Sequence, residues 1–162
     1  MSHPFSILAM PDGAGSLIFT PCPGTQDESL QQALGTLKNA GASAIVSLMS
    51  DAELTHNGVG ELGQQVQAAG LAWYQLPIED DEAPDAEFET RWQKALPALS
   101  KLLDANQAIA IHCKGGSGRT GLVAAKLMID RGMPRTRAVE LVQQLRPRAI
   151  QKPSHVSYIE RL

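Results

Sequence analysis

The sequence predicts an α/β fold, a central and mostly parallel sheet with helices on both faces. Three observations lead there. A helix-period segment, a glycine stop and an apolar strand-like run follow one another twice, with Gly41 and Gly70 as the stops. Such alternation argues for parallel strands joined by crossover helices. Ala108-Ile109-Ala110-Ile111 is short, apolar and β-branched at alternate positions, the pattern of a buried strand. After it come a glycine-rich loop and the segment Leu122 to Ile129, apolar almost all round, which reads as a buried helix. At 162 residues the chain is expected to form one domain, 1–162, long enough for a proper core.

Ser6 to Met10 and Ser16 to Thr20 read as two short strands around the turn signal Pro11-Asp12-Gly13. Thr25-x-x-Glu28 has the spacing of a capping box, and Leu30, Leu34 and Leu37 then share one helical face until Gly41. Ala44 to Met49 is a strand. Leu62, Val66 and Ala69 mark a second helix, stopped by Gly70, and Leu71 to Leu76 is the next strand. Phe88, Trp92, Leu96, Leu99 and Leu103 form a long apolar stripe, with Pro97 as a point of kinking. The Ile109–Ile111 strand follows, then helices over 119–131, 135–145 and about 154–161. Trp73, Tyr74 and Trp92 are expected in the core.

The segment His112-Cys113-Lys114-Gly115-Gly116-Ser117-Gly118-Arg119-Thr120-Gly121 carries the chemistry. It joins a strand to a helix, where loop N–H groups and the helix N-terminus converge on a bound anion. Thiolate is the nucleophilic form of cysteine, and helix N-termini and cations favour it; Cys113 stands to have both. Gly115, Gly116 and Gly118 let the loop curl with its amides inward, the Lys114 to Gly118 backbone forming a phosphate cradle. Arg119 offers a planar fork for two phosphoryl oxygens. Thr120 is placed to donate to the sulfur. His112 is expected to fix the loop through a backbone contact.

Three other readings compete for these residues. A glycine-rich strand–helix turn also occurs for packing alone. Gly116-x-Gly118-x-x-Gly121 has the letters of a dinucleotide fingerprint, but that motif needs a second strand ending in an acid; Glu140 lies inside a helical segment instead. A Walker A loop needs a lysine where Arg119 stands.

His-Cys-x-x-Gly-x-Gly-Arg-Thr-Gly resembles the signature loop of the cysteine-dependent protein tyrosine and dual-specificity phosphatases. The Leu76-Pro77-Ile78-Glu79-Asp80 stretch resembles the acid loop of the kinase-associated phosphatase group. Pro21-Cys22-Pro23-Gly24, Leu122-Val123-Ala124-Ala125 and Ala149-Ile150-Gln151 are supporting matches to the same group. The resemblance covers about Pro21 to Leu162. It implies the three-layer protein-tyrosine-phosphatase-like fold and phosphomonoester hydrolysis through a phosphocysteine, with no metal or cofactor. Cys113 is then the nucleophile, Arg119 the phosphoryl-binding arginine and an upstream aspartate the general acid. Asp80, 33 positions before Cys113, takes that role ahead of Asp81, because it follows a strand expected beside the Cys113 strand. Gln151 either orients the attacking water or is a surface glutamine before Lys152-Pro153. Lys114 either adds charge at the pocket rim or is solvated. The expected substrate is a phosphorylated protein or a small phosphoester. A phosphoinositide or small-molecule phosphatase, a non-catalytic phosphate-binding module and a persulfide-carrying sulfurtransferase are the alternatives.

Composition narrows the class. Hydrophobic residues make up 43% of the chain, ordinary for a globular protein, and no apolar run approaches a membrane span. Two cysteines make no disulfide framework, and a catalytic thiolate needs a reducing compartment, so a cytoplasmic monomer is expected. Cys22, between two prolines, reads as structural or incidental. Residues 1–111 hold 14 acids and 4 bases, net −10; residues 112–162 hold 3 acids and 10 bases, net +7. A basic half around the loop suits a phosphorylated substrate. Arg135, Arg137, Arg146, Arg148 and Arg161 are read as mostly solvated helix flanks. Residues 79–89 hold seven acids and no base, and Glu82, Glu87 and Glu89 are read as solvated. His3, His56 and His155 do not cluster at metal-ligand spacing. Aromatics at 4% and a net charge of −3 argue against nucleic-acid binding.

Overall fold

The computed structural model describes residues 2–162. Five strands form one sheet: β1 (Ser6–Ala9), β2 (Ser16–Thr20), β3 (Ala42–Ser47), β4 (Ala72–Gln75) and β5 (Ala108–His112). Their order is β1-β2-β5-β3-β4. β1 and β2 form an antiparallel hairpin, and the other pairings are parallel. The expected fold class is what forms, with an antiparallel edge.

Among the described residues seven helices complete it: α1 (Leu30–Asn39), α2 (Asp51–His56), α3 (Leu62–Ala68), α4 (Ala86–Asp104), α5 (Gly118–Asp130), α6 (Arg135–Leu145) and α7 (Pro153–Glu160). Period-2 alternation splits the strand side chains between two cores. Leu17, Phe19, Val46, Ile109 and Ile111 meet Phe88, Trp92 and Leu99 of α4, the apolar face of α5, and residues from α6 and α7. Ile18, Ile45, Ala108 and Ala110 meet Leu34 and Leu37 of α1 and Leu62 and Val66 of α3. β5, central and covered on both faces, is buried at all five positions.

Local chemistry sets the element ends, not always where expected. Ser29, not Thr25, caps α1: its hydroxyl accepts from Gln32 N and the Gln32 side chain returns to Ser29 N. Glu28 instead accepts from His3 N (2.5 Å) and the Thr36 hydroxyl (2.6 Å), tying the N-terminal segment to α1. α2, capped by Ser50, was not expected; its six residues are too few to show a periodic stripe. α4 runs unbroken through Pro97, with Asp85 as its cap. Trp92 is fully buried, whereas Trp73 and Tyr74 are only partly so.

One expected neighbour relation is wrong. β4, which leads to Asp80, pairs with β3 and not with the Cys113 strand β5. Pairing continues past β4, with Leu76 N donating to Ser47 O (2.8 Å) and Ile78 N to Leu48 O (3.0 Å). That extension brings the acid loop to the carboxyl end of the sheet, where Cys113 also lies. Among the described residues no helix is long and apolar enough to cross a membrane.

Candidate active site

β5 delivers His112 and Cys113 to the sheet's carboxyl edge, and α5 begins five residues after the cysteine. The first turn of α5 leaves amides without intrahelical acceptors, and these face the loop. Cys113 is buried at 4% exposure, and its Sγ accepts from Thr120 Oγ1 (3.2 Å) and Gly116 N (3.3 Å). Gly116 has φ +79°, and a Cβ there would stand 2.5 Å from the Thr20 carbonyl carbon. Only glycine lets the loop pass that close to β2.

His112 is fully buried, and burial pushes its pKa down to about 4. Its Nδ1 lies 3.2 Å from Cys113 O, an atom that only accepts, so the neutral ring carries its proton on Nδ1. Nε2 then accepts from the Ser47 hydroxyl (2.6 Å), which itself accepts from Trp73 Nε1 (2.8 Å). This chain of bonds locks the residue before the sulfur, through the backbone contact the sequence suggested.

Arg119 is buried at 3% exposure. Its Nη1 donates to Glu53 Oε1 (2.7 Å) and Ile78 O (3.0 Å), and its Nη2 to Glu53 Oε2 (2.8 Å). That leaves Nε–H and the second Nη2 hydrogen, adjacent on one edge, as a fork for two anion oxygens. Burial alone would lower the arginine's pKa; the Glu53 hydrogen bond and charge and the Cys113 sulfur outweigh it and hold the pKa above its usual value. Glu53 was missed in the sequence. Ser50-x-x-Glu53 has the same capping-box spacing as the Thr25 segment and was the available signal, and Ser50 does cap α2.

Asp80 Oδ1 lies 3.7 Å from Arg119 Nε, and the side chain is mostly exposed. Asp81 points elsewhere. It has φ +68°, and its carboxylate pairs with Lys152, whose hydrogen bond and charge lower its pKa. Ser154 Oγ donates to Asp81 O (3.2 Å) and His155 Nε2 to Glu82 O (2.9 Å), so the start of α7 grips the acid loop. Lys114 is exposed at the loop's outer turn, and Gly115, Ser117 and Gly118 complete the curve. Gln151 is exposed, and its amide donates to Pro147 O (3.2 Å), so it is not brought to Cys113 by any bond of its own. Cys22 is buried, which pushes its thiol up to about 12. Arg146 is no solvated flank: its Nε donates to Gly116 O (3.1 Å). Among the described residues no group of three or more His, Cys, Asp or Glu side chains converges as a metal site would need.

A cysteine sulfur with two donors on it, an arginine edge without hydrogen bonds among the described residues and a carboxylate near the same arginine form an arrangement suited to displacement at a tetrahedral anion. Comparison with known proteins points the same way. Residues 23–133 match a family model described as "Polymorphic toxin system, DSP-PTPase phosphatase". Probable protein tyrosine phosphatase type IVA A of Dictyostelium discoideum is 31% identical over 83 residues, 51% of this chain and 49% of that protein. Cyclin-dependent kinase inhibitor 3 of Rattus norvegicus is 31% identical over 101 residues, 62% of this chain and 46% of that protein. The chain thus spans about half the length of these curated relatives. In fold, it superposes on kinase-associated phosphatase carrying a catalytic cysteine-to-serine substitution with a TM-score of 0.87, at 24% identity over 99% of this chain and 94% of that one. The active form of Tk-PTP gives 0.67 at 26% identity, over 90% of each chain.

Proposed function

The chain belongs to the DSP-PTPase phosphatase family, and from that premise we propose that it hydrolyses phosphomonoesters of protein side chains through a phosphocysteine on Cys113. The observation that carries this reading is the sulfur itself: Cys113 Sγ accepts two hydrogen bonds at the mouth of α5, beside an arginine whose Nε faces Asp80 at 3.7 Å and makes no hydrogen bond among the described residues. Thr120 and the Gly116 amide stabilise negative charge on that sulfur.

In the first step the Cys113 thiolate attacks phosphorus in line. The S–P bond forms as the P–O bond to the leaving group breaks. Arg119 and the loop amides hold the phosphoryl oxygens, and charge spread over them is stabilised by positions set before the reaction. The Asp80 carboxyl gives its proton to the departing oxygen. In the second step water attacks phosphorus, the S–P bond breaks, and the Asp80 carboxylate takes the water's proton. Inorganic phosphate and the thiolate are left. Gln151 would take part in this second step only by turning its amide away from Pro147.

Curated relatives include proteins named as a protein tyrosine phosphatase and a dual specificity phosphatase, which favours phosphorylated protein over the other phosphoesters. The test is hydrolysis of p-nitrophenyl phosphate and a phosphotyrosine peptide by the purified chain, with acid-quench trapping of labelled phosphate. Label should be found on Cys113, and Cys113→Ser should abolish turnover yet still bind tungstate. Turnover that survives Cys113→Ser, or label on another residue, would remove Cys113 from its role.

A further inference from the structure

His155 is a buried titratable side chain that the hydrolytic steps leave unused. It is 1% exposed and sits in the first turn of α7. Burial lowers its pKa, so the ring is neutral near neutral pH. Its Nε2 lies 2.9 Å from Glu82 O, an atom that only accepts, so the ring carries its proton on Nε2. α7 itself is firmly seated. Tyr158 and Ile159 lie in the core, the Tyr158 hydroxyl donates to Glu89 of α4, and Lys126 Nζ of α5 stands 5.3 Å from the centre of the Tyr158 ring. His155 therefore projects from a fixed platform onto the acid loop.

What it holds is a strained turn. Glu82 N donates to Glu79 O (3.0 Å), which puts Asp80 and Asp81 at the centre of a four-residue turn. Asp81 has φ +68°, in the left-handed region where a residue with a Cβ is strained. Such a conformation persists only where its surroundings impose it. Here they are three contacts from the start of α7: Lys152 pairs with the Asp81 carboxylate, Ser154 Oγ donates to Asp81 O (3.2 Å), and His155 Nε2 donates to Glu82 O. The ion pair is exposed on both sides, so water and salt weaken it. The His155 ring is buried, and solvent cannot readily replace its bond. Upstream, Ile78 O is fixed by Arg119 Nη1 (3.0 Å) and Ile78 N by Leu48 O (3.0 Å). The Asp80 carboxylate hangs between these two anchors, 3.7 Å from Arg119 Nε.

We propose that His155 is a positioning residue for the general acid: by holding Glu82 O it keeps the Glu79–Glu82 turn in the form that sets Asp80 beside Arg119. This rests on the phosphatase reading with Asp80 as the proton donor. Without the ring's N–H, Asp81 can leave the left-handed region and carry the neighbouring carboxyl away from the leaving oxygen, while Cys113, Thr120 and Arg119 keep their places.

The test compares phenyl phosphate, whose leaving group needs a proton, with p-nitrophenyl phosphate, whose leaving group departs without one. His155→Phe should lower kcat on phenyl phosphate by about 10- to 100-fold, part of the worth of a positioned proton donor, and on p-nitrophenyl phosphate by less than about threefold. The alkaline limb of its pH–rate profile should flatten, and tungstate should bind as in the wild type. His155→Gln, whose amide can donate to Glu82 O, should restore most of the phenyl phosphate rate. In an Asp80→Asn background His155→Phe should add no further loss, because both act through one carboxyl. If His155→Phe fails to fold, His155→Asn is read instead; its amide nitrogen stops short of the Nε2 position, and the same selective loss is expected. Equal losses on both esters, a wild-type ratio of the two rates in the folded variant, or a further loss in the Asp80→Asn background would overturn the inference while leaving the phosphatase reading in place. So would a ratio unchanged by Asp80→Asn, which moves the acid elsewhere. A wild type that hydrolyses neither ester sinks the phosphatase reading, and the inference with it.

Discussion

Both carboxylate oxygens of Glu53 meet Arg119, at 2.7 and 2.8 Å, on the guanidinium edge away from Nε. The pair sits where Arg119 is buried and Glu53 only partly so. Fixing one edge of a planar fork fixes the other, so Glu53 orients the Nε edge without occupying it. Glu53→Gln replaces one acceptor with a donor against Nη1 or Nη2. It should lower kcat/KM by about 10- to 100-fold, the worth of a charge-assisted bond. Steady-state kinetics would check this. A variant within twofold of wild type, or one that binds tungstate more tightly, would mean that Glu53 competes with the anion instead of orienting its partner.

Asp80 and Asp81 are adjacent in the chain but differently engaged. Asp80 lies near Arg119, and Asp81 is taken by Lys152. Asp80→Asn should lower kcat by roughly 10²–10⁴, the usual worth of a positioned proton donor. The loss should be large for alkyl phosphates and small for nitrophenyl phosphate, whose leaving group departs without a proton. Asp81→Asn should instead loosen the grip of α7 on the loop while keeping the leaving-group dependence. If the Asp81 variant alone loses that dependence, the acid is Asp81.

Gly116→Ala should be damaging on two counts. The position has φ +79°, and the added Cβ would meet backbone atoms of Thr20 and Pro21 at 2.5 and 2.6 Å. Backbone of a central hairpin strand cannot yield as a flexible side chain would. A stability loss of roughly 2–4 kcal/mol is expected from backbone strain and overpacking together. Urea unfolding would measure it, and tungstate binding should be lost as well. A variant of unchanged stability would show that the loop has a second conformation of equal energy.

His112 makes stability depend on pH. Its pKa is about 4 in the fold against 6.5 when unfolded, because burial disfavours the charged ring. Between those values the unfolded chain binds the extra proton, so stability is full above 6.5 and falls as pH drops toward 4. The loss is on the order of 3 kcal/mol from this residue. His3 and His155, also lowered by burial, act in the same direction. Urea midpoints from pH 7 down to pH 4 should show the decline, and His112→Asn should remove part of the slope. An unchanged slope would place the proton uptake on the other histidines.

Much of this molecule is written locally. Ten contiguous residues specify the loop, because a strand, a run of glycines and a helix start bring Cys113, Thr120 and Arg119 together by covalent proximity alone. Period-2 and period-3.6 patterns likewise place most strands and helices, since each needs only its own buried face. The partners across space are another matter. Glu53 lies 66 positions before Arg119, and Arg146 lies 30 after Gly116. Neither belongs to a periodic pattern, and the helix bearing Glu53 is too short to show one. Which strand lies beside which is equally silent: Leu71 to Leu76 reads as a strand wherever it pairs, and only closure of the two cores puts β3 between β4 and β5. The sequence alone therefore brought Cys113, Thr120 and Arg119 into one glycine-rich loop. The tertiary structure decided what pairs with Arg119, what holds the loop and how Asp80 comes near the arginine, because those contacts exist only once distant segments share a site.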